Sequence, residues 1–326
     1  MSLNLTGRLA GLMVTGAVIL SACGGGSATT APASAAPPAS QAAGGAIIGV
    51  AFPNSDTFLS RVQDGMKTEA AAKGVTVKIT DAKDDTAAQL SQVENFVSQK
   101  VAAIIVVPVD TSAAQPMADA AKKANIPIVF VNRNPSIAGV PYIGSDSLYA
   151  GTVEMQELAK LAGGKGDVVI LQGQVSNEAA VLRTKGCNDV VAKNPGMKVV
   201  ATQAGDWDRA KGQSITENWI QSGLLKAGDV VCANNDEMAL GAINALKAAK
   251  LLDTVFVGGV DATSEALAAM QAGDLEVTVF QDAKGQGKGG VDAAVDLIGG
   301  KAVPDYVDIP YQLVTPANIK DFLGSN

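Results

Sequence analysis

The stretch AAIIVVPVDTSAAQPMADAAKKANIPIVFV, residues 102–131, decides the fold. It opens and closes on unbroken apolar runs rich in β-branched residues, AAIIVV (102–107) and IPIVFV (126–131), with an amphipathic stretch at 112–124 between them. A continuous apolar strand needs cover on both faces, and two such strands joined through a helix run parallel. The unit repeats outward in both directions. IIGVAF (47–52) and VTVKIT (75–80) come before it, with helical stretches at 58–73 and 86–100. DVVILQ (167–172), KVVATQ (198–203), DVVCAN (229–234), TVFVGG (254–259) and EVTVFQ (276–281) come after, alternating with helical stretches at about 147–162, 178–193, 209–222, 236–249 and 263–272. Two such series predict two similar α/β lobes, each a doubly wound, Rossmann-like parallel sheet. A weak internal repeat agrees: IPIVFVNR corresponds to DTVFVGGVD, and AAIIVVPVD to DVVCANND.

The amino-terminal residues belong to neither lobe. Arg8 precedes the apolar run LAGLMVTGAVIL, Leu9 to Leu20, whose twelve residues are too few to span a bilayer. Length and flank match a secretory signal peptide over residues 1–22. The sequence Leu20-Ser21-Ala22-Cys23 resembles a bacterial lipoprotein box. That resemblance implies cleavage before Cys23 and acylation of its thiol and new amino group, which holds a protein on a membrane without spanning it. Residues 23–45 are then the lipidated cysteine and a flexible Gly/Ala/Ser/Pro-rich linker. Loss of Arg8 takes the net charge from −7 to −7 − 1 = −8.

Composition excludes several classes of function. There is no histidine, which removes histidine bases, triads and metal ligands. The acidic balance, 32 Asp+Glu against 25 Lys+Arg, argues against nucleic acid. Nothing pairs a nucleophile with a base, so an enzyme is not expected, nor a cofactor or metal. Residues 285–290 match G-x-G-x-x-G, but late in the chain and outside an early strand–helix–strand unit, which speaks against a dinucleotide site. Asp81, Asp84 and Asp85 read as a polar, helix-capping turn. Cys187 and Cys232 are expected on a packed helix and strand, either as a disulfide or as two buried thiols.

Open parallel sheets bind ligands outside the carboxyl ends of their strands. The residues there are Asp56 and Phe58 after the first strand, Asn132 and Arg133 after the fourth, and Arg183 on the helix beyond Gln172-Gly173. Trp207, Asn235, Asp261 and Gln281 follow or close later strands. Amides, guanidiniums, carboxylates and two aromatics suit an uncharged polyhydroxylated ligand. Each hydroxyl both donates and accepts, and the rings cover C–H surface. Asn235 also stands where it would cap a helix.

From about Ala46 onward the chain resembles the periplasmic sugar-binding proteins of ABC importers, in the ribose-binding-protein group. IPIVFVNR (126–133), DWDRAKGQ (206–213), ANNDEMALGA (233–242) and VGGVDAT (257–263) carry the likeness. It implies a type I periplasmic binding protein fold, with an N-terminal lobe of 46–145 plus 282–308 and a C-terminal lobe of 146–281 plus 309–326. Three strands join the lobes, which close over the ligand. It also implies the ligand shell Phe58, Asn132, Arg133, Arg183, Trp207, Asn235, Asp261 and Gln281, with Asp56 as a further hydroxyl contact.

Two departures bear on the ligand. Ribose binders usually show Asp-Arg where this chain has Asn132-Arg133, and paired aromatics where it has Phe58-Leu59. Inositol- and rhizopine-type binders resemble it in that Asn-Arg pair and in VTVFQDAKGQG (277–287). The expectation is a monomeric, lipid-anchored receptor on the extracytoplasmic face of the cell membrane. It would deliver a polyol (xylitol, threitol or an inositol) to a permease and its ATPase subunits. The alternatives are a sensing module for a membrane receptor and a receptor for an aldose such as ribose.

Overall fold

The computed structural model describes residues 45–325; the signal, Cys23 and most of the linker lie outside them. In the first half β1 (Ile47–Phe52), α1 (Thr57–Lys73), β2 (Thr76–Asp81), α2 (Thr86–Ser98), β3 (Ala103–Val106), α3 (Gln115–Lys123), β4 (Ile128–Val131) and β5 (Tyr142–Gly144) alternate. The second half repeats the alternation with α4 (Ser147–Leu161), β6 (Lys165–Gln172), α5 (Glu178–Val191), β7 (Gly196–Ala204), α6 (Arg209–Gln221) and β8 (Val230–Ala233). It continues through α7 (Asp236–Ala249), β9 (Phe256–Gly258), α8 (Ser264–Ala272), β10 (Thr278–Phe280), α9 (Ala283–Ile298), β11 (Tyr306–Asp308) and β12 (Gln312–Val314).

The first sheet has the order β2-β1-β3-β4-β5-β11, with every pair parallel. In the second, β7-β6-β8-β9 are parallel. Parallel bridges Gly258–Val277 and Asp261–Phe280 bring β10 beside β9, and β12 pairs antiparallel with β10. The two orders are therefore equivalent, and the repeat read from the sequence matches β4 with β9 and β3 with β8. The chain crosses between the sheets after β5, after β10 and after β11.

Central strands are buried along their whole length: Ile104 to Val106 and Val230 to Ala233 are all within 1% of full burial. This is what a sheet covered on both faces requires. Polar residues at strand ends start the helices that come next. Asp56, Asp85, Asp146, Asn177, Asp208, Asn235, Thr263 and Asp282 each accept a hydrogen bond from a backbone N–H in the first turn of the next helix. The aspartates of the 81–85 turn serve the same local ends, Asp85 capping α2 and Asp84 accepting from Asn54 Nδ2 at 2.9 Å.

The glycine run at 285–290 is a packing surface. A Cβ on Gly287 would stand 2.1 Å from the Val62 carbonyl oxygen of α1, and one on Gly290 2.7 Å from Val131 Cγ2 of β4. These glycines let α9 lie against α1 and the sheet. Cys187 of α5 and Cys232 of β8 are joined as a disulfide in the second core. Among the described residues no helix is long and apolar enough to cross a membrane.

Candidate functional site

The carboxyl ends of both sheets converge on a cavity of about 270 Å³. Asp56, Phe58, Asn132, Arg133, Arg183, Trp207, Asn235, Asp261 and Gln281 all line it, so the structure brings together every ligand-shell residue read from the sequence. Leu59 reaches its edge while being buried in the first core. Asn177, Thr263, Asp208, Arg209 and Glu237 complete the walls.

On the first wall, Asp56 and Phe58 begin α1. Asp56 accepts from Leu59 N–H at 2.7 Å. Its side chain faces the open cavity yet is closely surrounded by protein, and this burial pushes its pKa up against the pull of the Leu59 N–H and Arg133. Arg133 is only 3% exposed. Its Nη1 donates to the Pro108 carbonyl at 2.8 Å, which roots the guanidinium in the loop after β3, and its Nε is buried with no partner among the described residues. Asn132 has φ of 68°, in the left-handed region where asparagine is among the better-tolerated residues. Tyr142 OH donates to its carbonyl at 2.9 Å and holds that conformation.

The second wall is built around Arg183. Its Nη1 donates to the Asn234 carbonyl at 2.6 Å, and its Nη2 donates to Gln281 Oε1 at 2.8 Å and to Tyr311 Oη at 2.6 Å. Asp261 Oδ1 lies 4.0 Å from Nη1. The guanidinium carbon sits 5.7 Å from the Trp207 ring centre and 5.5 Å from that of Tyr311, within cation–π range. Burial drives the Asp261 carboxyl well above the usual aspartate range; Arg183 opposes this, while Asp236, Asp56 and Glu237 add to it. Asp261 (φ 123°) and Trp207 (φ 67°) both carry positive φ, so three cavity residues including Asn132 hold backbone strain at the site.

Trp207 lies flat on Gly173, whose Cβ, if present, would stand 2.1 Å from the ring. One part of the indole packs on the second core and the rest lines the cavity, with Nε1 buried and unpartnered among the described residues. Asn235 Oδ1 caps α7 at Met238 N–H (3.0 Å), and its Nδ2 donates to the Trp207 carbonyl at 3.3 Å. It both caps a helix and lines the cavity.

Beneath this wall, Asp236 is fully buried and accepts from Thr278 Oγ1 and from Thr263 N–H, each at 2.7 Å. Burial pushes its pKa up to about 7.

Sequence reasoning missed Tyr311, which sits in the short passage from β11 to β12 rather than after a strand of the parallel series. Its signal was its type: one of only four tyrosines in an aromatic-poor chain. It also missed Asn177 and Glu237, which begin helices and read as ordinary caps and first-turn acids.

Residues 48–302 match the family model described as periplasmic binding protein domain. The chain is 46% identical over 280 residues to a protein of Rhizobium meliloti named "Putative rhizopine-binding protein", covering 83% of this chain and 90% of that one. It is 34% identical over 324 residues to the xylitol-binding protein of Mycolicibacterium smegmatis, covering 98% of this chain and 87% of that one. A crystal structure of an ABC transporter solute-binding protein from Bacillus halodurans C-125, with bound myo-inositol, superposes with a TM-score of 0.83 at 43% identity, covering 87% of this chain and 99% of that one. These relatives are solute-binding proteins and not enzymes. With its α/β sheets, its cavity at the strand ends and this match across most of its length, the chain belongs to the periplasmic binding protein family, in the ribose-binding-like group of sugar receptors.

Proposed function

We propose that this chain is the extracytoplasmic receptor of an ABC importer for a polyol, a cyclitol such as an inositol or an alditol such as xylitol, and hands it to the permease after its lobes close. One observation carries the reading. Buried donors without partners among the described residues, Arg133 Nε, Arg183 Nε and Trp207 Nε1, stand on residues that line a cavity also edged by Asp56, Asp261 and Asn132. Hydroxyl groups satisfy both kinds of partner, and buried polar groups are rarely left unsatisfied. The size agrees: about 270 Å³ suits a ligand of sugar size. The relatives that bind xylitol and myo-inositol by name support the polyol over an aldose.

Titration calorimetry with myo-inositol, xylitol, threitol, ribose and glucose tests this. A polyol is expected to bind most tightly, and scattering at saturation is expected to show compaction as the closed state is selected. Tight ribose or glucose binding with no response to any polyol would overturn the ligand class. Anchoring through Cys23 belongs to the same proposal. Cys23→Ala is expected to move the protein from the membrane pellet to the soluble fraction, and full retention in the pellet would count against the lipid anchor.

A further inference from the structure

We propose that Gln286 fixes the Asn132 amide so that its carbonyl oxygen faces the ligand, making this position an acceptor that selects for a hydroxyl donor. The proposal rests on the polyol-receptor reading and names what one wall of that site demands of its ligand. A neutral amide has both a donor and an acceptor end, so an asparagine in a cavity wall is ambiguous until something orients it.

Here a hydrogen-bond chain removes the ambiguity. It starts at the carbonyl of Ile309, in the passage between β11 and β12, and a carbonyl can only accept. Ser145 Oγ, after β5, donates to it. With its proton committed, Ser145 Oγ accepts from Gln286 Nε2 at 2.9 Å. Gln286 Oε1 is thereby turned the other way and accepts from Asn132 Nδ2 at 2.9 Å. The polarity of each link is dictated by the one before it. At the end of the chain Asn132 Oδ1 is left as the amide's acceptor for the cavity it lines, beside the second Nδ2 proton.

The setting is rigid enough to enforce this. Gln286 is fully buried on α9, and Ser145 is 4% exposed. The flanking Gly285 and Gly287 admit the Asp282 cap and α1, which pins α9 where Gln286 reaches β4. Tyr142 holds the Asn132 backbone from the other side. Gln286 is thus a positioning residue that acts through Asn132.

The test combines a ligand-free measurement with a mutant cycle. In the ligand-free protein, the Asn132 side-chain amide should show one hydrogen-bonded NMR proton resonance that shifts upfield in Gln286→Leu. An unchanged Asn132 amide in that variant overturns the proposal whether or not any polyol binds. With the tightest ligand of the myo-inositol, xylitol and threitol set, Gln286→Leu is expected to weaken binding on the order of tenfold, the worth of one oriented hydrogen bond. In an Asn132→Ala background the same substitution should change affinity less than about twofold, since its effect passes through Asn132. An equal loss in both backgrounds, or a Gln286→Leu variant that binds like wild type, refutes it. Failure of every polyol to bind wild type would refute the function instead, leaving the amide measurement to decide this point.

Discussion

In the first sheet the sixth strand, β11, joins β5 in parallel, whereas in the second β12 joins β10 antiparallel. The other strands keep one order in both. The difference has a geometric cause. Only residues 309–311 separate β11 from β12, too few for the long crossover that a parallel connection needs. The chain leaves the first sheet at its carboxyl edge and enters the second from that sheet's carboxyl edge, so it runs against its neighbours. The passage is laid along the cleft, which brings Tyr311 onto Arg183. The walls differ accordingly. On the second, Arg183 is held by an amide, a phenol and a carbonyl. On the first, the hydrogen bonds of Arg133 among the described residues go to backbone carbonyls.

This contrast predicts unequal arginines. Arg183→Ala removes a charged donor from Gln281, Tyr311 and the Asn234 carbonyl, and should weaken polyol binding by at least about 30-fold. Arg133→Ala, which frees only carbonyls after β3, should cost less, about tenfold. Calorimetry on both variants checks the order, and a larger loss for Arg133→Ala would break the comparison. Next in size is Gly173→Ala, which displaces the Trp207 ring and should weaken binding roughly fivefold to tenfold. Indole emission measured in a Trp219→Phe background should shift in the same variant.

The smallest expected effect concerns stability. Folded Asp236 keeps its proton up to about pH 7, while the unfolded side chain releases it in the ordinary aspartate range. Between those values the folded state binds more protons. Its contribution is therefore full below the unfolded pKa and is lost as pH rises through about 7. Denaturant melts of Asp236→Asn should show a flatter decline between about pH 5 and about pH 8, by on the order of 1 kcal/mol. Glu178 and Glu276, also raised to about 7, should leave a residual slope. A variant as steep as wild type would remove Asp236 from this account.

Much of the site was legible because parallel sheets put binding groups at a fixed address. Asn132-Arg133 after β4 and Asp261 after β9 could be found by looking just past the carboxyl end of an apolar run. The address fails where the chain departs from the repeat. Tyr311 lies in a passage with no counterpart in the first half. Gln286 was hidden inside a glycine motif whose spacing resembles a nucleotide loop, although those glycines serve close helix packing. Whether Asn235 capped a helix or lined the cavity could not be settled from the sequence, because the two duties ask for the same residue type.

That double duty limits how such a receptor can change its taste. Asp56 and Asn235 each hold a helix end as well as a cavity wall, and Asn177 does the same for α5. Exchanging one of them for a new ligand would release a helix terminus, at about 1 kcal/mol in stability. Among the described residues Phe58 caps no helix, whereas Asn132 is tied to Gln286 and Gln281 to Arg183. New specificities are therefore most accessible, to evolution or to an engineer, through Phe58, with the capping and hydrogen-bonded residues kept as a common frame.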